Sequence, residues 1–114
     1  MTNHANLTPE RWSRFTRTQQ LLQIAAEMHR ATSFVASSRS EHVREGYERV
    51  LRLVDLTAQT QRGRSFLREL LRWRTFVAGL YIAPELDLDA HRMALRVLLE
   101  LDSEAAGQIE YLLA

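Results

Sequence analysis

The apolar positions along the chain follow a helical period in four successive segments. In the first segment they recur in alternating steps of three and four residues, at Leu21, Ile24, Met28, Ala31 and Val35. Capping or helix-breaking residues separate the segments, among them Thr8-Pro9 at the first start, Gly63 after the second segment and Pro84 after the third. We therefore predict helices over about 9–36, 39–61, 64–82 and 89–113.

Four amphipathic helices with short connections favour one architecture. No segment alternates in the manner of a strand, and 114 residues suffice for one domain with a single core. We predict an all-α chain, folded as an antiparallel up-down four-helix bundle, with residues 1–114 forming a single domain. The start of the chain shows no basic and apolar signal pattern, and no apolar run approaches the roughly 20 residues of a membrane span. We expect a cytoplasmic protein with no membrane partner.

Charge is distributed unevenly along the chain. Residues 1–84 carry thirteen arginines against seven acids, whereas residues 85–114 carry two arginines against seven acids. All fifteen basic side chains are arginine, a bias that a GC-rich genome would also produce without any functional reason. The asymmetry suggests a face that binds polyanions or, alternatively, head-to-tail charge matching between copies of the chain.

Arginines form a row on the third predicted helix, opposite its apolar side. Their spacing of four residues places guanidinium groups about 6 Å apart, which suits bidentate contacts with successive phosphates. The first predicted helix adds arginines around Trp12 and Phe15, a mixture compatible with nucleic-acid contact. We expect nucleic acid to be bound by Arg62, Arg64, Arg68, Arg72, Arg11, Arg14 and Arg17. An acidic partner protein, or the acidic last helix of a neighbouring copy, is the alternative partner for the row.

The apolar arc of the third predicted helix spans about 220°, more than a peripheral helix of a bundle needs. The excess suggests homo-oligomerisation, or else a partner protein, and the predicted interface residues are Phe66, Trp73, Phe76 and Tyr81. A strongly buried helix with one exposed edge residue would give the same pattern. Arg74 and Asp102 also fall at apolar positions, which predicts a structural ion pair unless one of them extends to the surface.

Enzyme motifs are missing from the sequence. There is no cysteine, and His4, His29, His42 and His91 form no metal-binding spacing, so we expect no metal and no cofactor. His29 and His91 lie near apolar faces and are expected to be core histidines. No nucleophile elbow or phosphate-binding loop occurs either. We expect no enzymatic activity; the alternative is an active site assembled between copies of the chain.

The stretch Val43–Leu113 shows a combination of features that is similar to a known family. It contains a charged, leucine-rich helix, then the run R-S-F-L-R-E-L-L-R-W-R from Arg64 to Arg74, then Leu80-Tyr81-Ile82 and a short loop. A last helix with Ala106-Gly107-Gln108-Ile109 ends in an aromatic–leucine pair. This text, about two thirds of the chain, resembles the four-helix-bundle family that includes accessory variability determinant proteins of diversity-generating retroelements and proteins encoded in 23S rRNA intervening sequences.

The resemblance implies a specific function. It implies a homopentamer of bundles with a basic surface that binds RNA or DNA and the reverse transcriptase, supporting mutagenic reverse transcription without chemistry of its own. In that family pattern the basic helix corresponds to the arginines of the third predicted helix. The alternative function is a helical protein–protein adaptor with no nucleic-acid binding.

Overall fold

Four long helices and three short ones occur in the part of the chain that the structure describes. The computed structural model describes residues 7–113, and no strand occurs among them, so the predicted all-α class is confirmed. The long helices are α2 (Arg17–Ala36), α3 (Ser40–Thr60), α4 (Arg64–Ile82) and α5 (Leu88–Glu100), and the short ones are α1 (Pro9–Trp12), α6 (Ser103–Ala106) and α7 (Ile109–Leu112). Within the described residues no helix combines the length and apolar character needed to cross a membrane.

The long helices enclose one core. α2 packs against α3 and α5, and α4 packs against α3 and α5 as well. The radius of gyration is 13.3 Å, the value expected of a compact domain of this length. The largest fully buried apolar side chains come from α1 to α5 and are Trp12, Leu21, Ile24, Met28, Leu53, Leu70, Leu95, Leu98 and Leu99.

The first predicted helix is divided in two, which corrects the expected span of 9–36. α1 begins as predicted, with Thr8 as its N-cap, but α2 starts afresh after Thr16. Thr16 and Gln19 form a capping box, in which Gln19 N donates to Thr16 Oγ1 at 3.1 Å and Thr16 N donates to Gln19 Oε1 at 2.9 Å. The break turns Trp12 inward, where its Nε1 donates to Thr57 Oγ1 on α3 at 2.9 Å.

The last predicted helix is also shorter than expected, because Asp102 interrupts the span of 89–113. Its carboxylate accepts from Ala105 N at 3.0 Å as the N-cap of α6, and from Thr18 Oγ1 on α2 at 2.7 Å. An aspartate that caps a new helix ends the previous one, since its own backbone is extended there. The start of α5 agrees with prediction, because Asp87 Oδ1 accepts from Ala90 N at 3.0 Å.

The predicted ion pair between Arg74 and Asp102 does not form. Arg74 instead makes a bidentate contact with Asp55 on α3, with Nε 2.7 Å from Oδ1 and Nη2 3.2 Å from Oδ2. Arg74 lies on the side of α4 that faces α3, while the carboxylate of Asp102 is occupied by the cap of α6 and by α2. The ion pair therefore joins α3 to α4 at a partly exposed position rather than crossing the core.

Candidate nucleic-acid interface

The predicted arginine row lies on the outer surface of α4. Arg64, Arg68 and Arg72 are exposed and follow one another at intervals of four residues, so the row runs along the helix in steps of about 6 Å. Arg62 precedes them in the loop between α3 and α4 and is exposed too. These four residues are called the arginine row below. The structure thus leaves their charged groups where a polyanion can reach them.

Most of the arginine row is not neutralised by the protein itself. Within residues 7–113, the guanidinium groups of Arg62, Arg64 and Arg68 form no ion pair, hydrogen bond or ring contact. Arg72 alone has an acidic partner, Glu69, with Nη1 3.2 Å from Oε1 and both side chains more than half exposed. An exposed pair of this kind stabilises the fold little and can open for another anion. The row therefore carries a net positive charge.

Arg17 makes structural contacts within the fold, and its predicted binding role stays a prediction. Its Nη2 donates to the carbonyl oxygen of Arg62 at 2.7 Å, and its guanidinium lies 4.0 Å from the ring centroid of Phe66. These contacts anchor the start of α2 to the loop that leads into α4. The same loop contains Gly63, whose φ of 103° is a left-handed conformation that favours glycine. Through Arg17, the start of α2 contacts the loop that carries Arg62.

The aromatic residues beside Arg11 and Arg14 are Trp12 and Phe15, and they offer little ring surface for stacking on bases. Trp12 is fully buried, and its ring meets the half-buried ring of Phe15 edge to face, with centroids 5.5 Å apart. Arg11 and Arg14 are exposed beside them. The sequence pattern was correct in finding aromatic and basic residues together, but the aromatic rings serve the core.

The residues expected at an oligomer interface separate into core and surface. Phe66 and Trp73 are buried within the chain, and half-buried Tyr81 donates its hydroxyl to Glu48 Oε2 at 2.6 Å. Only Phe76, which is 44% exposed, remains on the surface. The wide apolar arc of α4 is largely explained by its position between α3 and α5, since it must bury side chains towards both. Phe66 is 8% exposed and Trp73 is 3% exposed, so these two residues offer little surface to a second chain.

A buried histidine occupies the core where α2, α3 and α5 meet. His91 is fully buried, with Nδ1 2.8 Å from the hydroxyl of Tyr47 and Nε2 2.9 Å from the carbonyl oxygen of Met28. Burial lowers the pKa of His91, and the hydrogen bond to Met28 opposes that shift. Burial also raises the pKa of Tyr47 to about 12, with a smaller contribution from the charge of Asp87. His91 is a core histidine, as predicted.

The other histidines lie apart from it. His29 is exposed on α2, which corrects the prediction that it belongs to the core, and His42 is exposed near the start of α3. His4 lies outside the described residues. Among the described residues, no group of three or more histidine, aspartate or glutamate side chains is placed to hold a metal ion.

Glu27 is a buried acid that the sequence reasoning missed. It is 2% exposed on α2, and its carboxylate accepts from Arg30 Nη2 at 2.7 Å and from Arg49 Nε on α3 at 3.1 Å. Its position three residues after Ile24 and one before Met28, inside the apolar face of α2, could have indicated it. Two of the arginines in the basic part of the chain are thus committed to the fold.

Comparison with known proteins gives no relative. No protein-family model matches the chain, and neither the curated proteins nor the solved structures gave a match.

Proposed function

We propose that this chain is a non-enzymatic, homo-oligomeric protein of the cytoplasm that binds nucleic acid through the arginine row. The observation that supports binding is the exposure of Arg62, Arg64 and Arg68 without any acidic partner in the described part of the chain. Arg30, Arg49 and Arg74 lie against acids, whereas the guanidinium groups of Arg62, Arg64 and Arg68 remain available to phosphates. Arg39 and Arg96 are exposed too, but they lie in other parts of the chain.

The geometry of the row supports contact with a phosphate backbone rather than a base-specific site. Side chains on one face of a helix lie along a straight line, and each guanidinium can hold one phosphate by two parallel hydrogen bonds. Phe76, four residues after Arg72 and 44% exposed, is an aromatic ring at the end of the row, and stacking of bases on such a ring is sequence-tolerant. The proposal is therefore a salt-sensitive, sequence-tolerant interaction.

We infer that α2 to α5 form an antiparallel up-down bundle. Each of these helices packs against two of the others, and the connections over 37–39, 61–63 and 83–87 are short. Short connections between long helices favour antiparallel neighbours, and a ring of four contacts is what a four-helix bundle requires. In this arrangement the arginine row runs along one outer edge of the bundle.

The resemblance of Val43–Leu113 to accessory variability determinant proteins suggests the biological setting. We propose that the nucleic acid is the RNA or DNA of a diversity-generating retroelement, that the reverse transcriptase is the protein partner, and that copies of the chain assemble, as a pentamer in that family. The chain would then hold template and enzyme together without chemistry of its own.

Salt-dependent binding of a fluorescent single-stranded RNA tests the polyanion part of the proposal. We expect the logarithm of affinity, measured by fluorescence anisotropy, to fall linearly with the logarithm of salt concentration. The double variant Arg64→Gln/Arg68→Gln should bind more weakly and reduce the slope by about 2, one for each lost phosphate contact. The control Arg39→Gln/Arg96→Gln removes the same charge from exposed arginines outside the row.

Two results would contradict the proposal. If the wild-type protein binds no RNA or DNA at low salt, the arginine row does not serve nucleic acid, and the adaptor function becomes the better explanation. If the control variant loses as much affinity as the row variant, binding depends on net charge alone. A normal circular dichroism spectrum of both variants is expected, since the four replaced side chains are exposed.

A further inference from the structure

An aromatic ring continues the arginine row towards the end of α4. Phe76 follows Arg72 by four residues, as Arg72 follows Arg68, so these side chains succeed one another along the outer side of the helix. The ring of Phe76 is 44% exposed. Along the helix axis, Arg64 and Phe76 are about 18 Å apart. One helix thus presents a line of cations followed by an aromatic surface.

The charges on α4 allow a polyanion to continue past the row to Phe76. Glu69 is the only acid in α4, and its Oε1 lies 3.2 Å from Nη1 of Arg72, so its charge is matched. The neighbours of the ring on the facing helix α5 include Met93 and Val97, which are apolar. A phosphate backbone that follows the arginines therefore meets no unmatched acid of α4 before it reaches the ring.

An exposed ring beside unpaired cations suits single-stranded nucleic acid better than a duplex. In a duplex the bases are stacked on one another, and a protein surface reaches only the phosphates and the base edges in the grooves. In a single strand the face of a base is free to stack on an aromatic side chain, and this contact adds to the attraction between arginines and phosphates. Every base has such a face, so the contact tolerates any sequence.

We propose that the arginine row and Phe76 together bind single-stranded nucleic acid, with phosphates against the arginines and one base stacked on the ring of Phe76. The helix fixes the ring about 6 Å beyond Arg72 along the axis, so charge and ring act on the same short stretch of strand. This inference rests on the proposed function, because it requires the row to bind phosphates. It adds the form of the nucleic acid and the residue that selects it.

Fluorescence anisotropy with three probes of about 12 nucleotides tests the inference. The probes are a single-stranded RNA without self-complementarity, the same sequence as an RNA duplex, and a strand of equal length in which every nucleotide lacks its base. Phe76→Leu keeps an apolar side chain and should weaken binding of the single-stranded RNA by at least about fivefold, the lower end of the loss of one stacked base. Binding of the duplex and of the abasic strand should not change, because neither offers a free base face.

The dependence on salt separates the ring from the arginines. Phe76→Leu should lower the affinity for the single strand by the same factor at every salt concentration, since no cation is removed. Arg64→Gln/Arg68→Gln should instead reduce the slope of log affinity against log salt by about 2. Phe76→Tyr keeps the ring and should bind all three probes as wild type does.

Tyr111→Leu is the matched control. Tyr111 is 69% exposed on α7, away from the row, so removing its ring should leave all three affinities unchanged. The wild-type protein supplies a test that needs no variant, because it should bind the single-stranded RNA at least about fivefold more tightly than the abasic strand. Circular dichroism spectra like that of wild type are expected for the variants, since both replaced rings are exposed.

The inference and the proposed function fail in different ways. If wild type binds the abasic strand as tightly as the single-stranded RNA, the inference is overturned while the arginine row stands. It is overturned too if Phe76→Leu weakens all three probes equally, or no more than Tyr111→Leu does. If wild type binds none of the probes at low salt, the proposed function fails with it. Binding of a polyglutamate peptide in that case would identify an acidic protein as the partner of the row.

Discussion

Removing the hydroxyl of Tyr47 tests the buried contact between α3 and α5. Nε2 of His91 lies 2.9 Å from the carbonyl oxygen of Met28, which can only accept, so we infer that the ring proton is on Nε2 and that the Tyr47 hydroxyl donates to Nδ1. Tyr47→Phe leaves Nδ1 without a donor. Moving the ring proton to Nδ1 does not help, because Nδ1–H would then have no acceptor in the variant. Nε2 would also turn a lone pair towards the carbonyl oxygen of Met28, with the hydroxyl of Thr32, 3.2 Å away, as its donor. One buried polar atom remains unsatisfied in either tautomer.

The magnitude of the Tyr47→Phe effect depends on pH. At about pH 8 the variant should lose about 1–3 kcal/mol of unfolding free energy, the usual cost of leaving a buried polar atom without its hydrogen bond. The wild-type protein has an additional alkaline weakness, since burial raises the pKa of Tyr47 to about 12. The raised pKa stabilises the folded state fully below about pH 10, and this contribution is lost as pH rises through about 12. A shift of about two units corresponds to about 3 kcal/mol.

Urea unfolding followed by circular dichroism, at several pH values between about 8 and 11.5, measures both effects. The free-energy difference between wild type and Tyr47→Phe should shrink above about pH 10, because phenylalanine has no proton to lose. A variant as stable as wild type at pH 8 would refute the hydrogen-bond argument. A difference that stays constant up to about pH 11.5 would refute the assignment of the alkaline weakness to Tyr47.

Three further predictions concern the fold. Gly63→Ala should lower the unfolding free energy by about 1–2 kcal/mol, because Gly63 has a φ of 103°. Gly79→Ala should raise it by about 0.5–1 kcal/mol, since Gly79 lies exposed in α4 with nothing near its missing Cβ. Chemical denaturation compares the two variants, and equal effects would contradict the reasoning. Glu27→Gln should lower the unfolding free energy by about 1.5–3 kcal/mol, because it weakens buried charge-assisted hydrogen bonds. Asp55→Asn, at a half-exposed ion pair, should lower it by less than about 1 kcal/mol. The reverse order in urea unfolding would show that burial does not set how much an ion pair contributes to stability. The unfolding free energy should fall as pH is lowered below about 6.5, by up to about 1.4 kcal/mol per pH unit. In the unfolded chain His91 takes up a proton in this range, whereas burial lowers its pKa in the folded protein and keeps it neutral. A flat profile of unfolding free energy between about pH 5 and 7 would contradict this.

Apolar periodicity predicted the long helices because most of their stability comes from one buried face. α3 and α4 have nearly the expected bounds for that reason. The breaks at Thr16 and Asp102 were missed because each is made by a single side chain that caps a helix, while the apolar pattern continues across it. A capping residue inside a periodic segment can therefore end one helix and begin another even where the apolar period continues.

Partners of charged side chains were harder to predict than helices. Arg74 was placed in the core from its position on α4, yet it reaches Asp55, because a long side chain at the edge of a buried face can turn towards a neighbouring helix. The exposure of Arg64 and Arg68 was predicted correctly, since they lie opposite the apolar side of α4. Which face a residue occupies follows from the sequence, whereas the partner it finds there depends on how the helices are arranged.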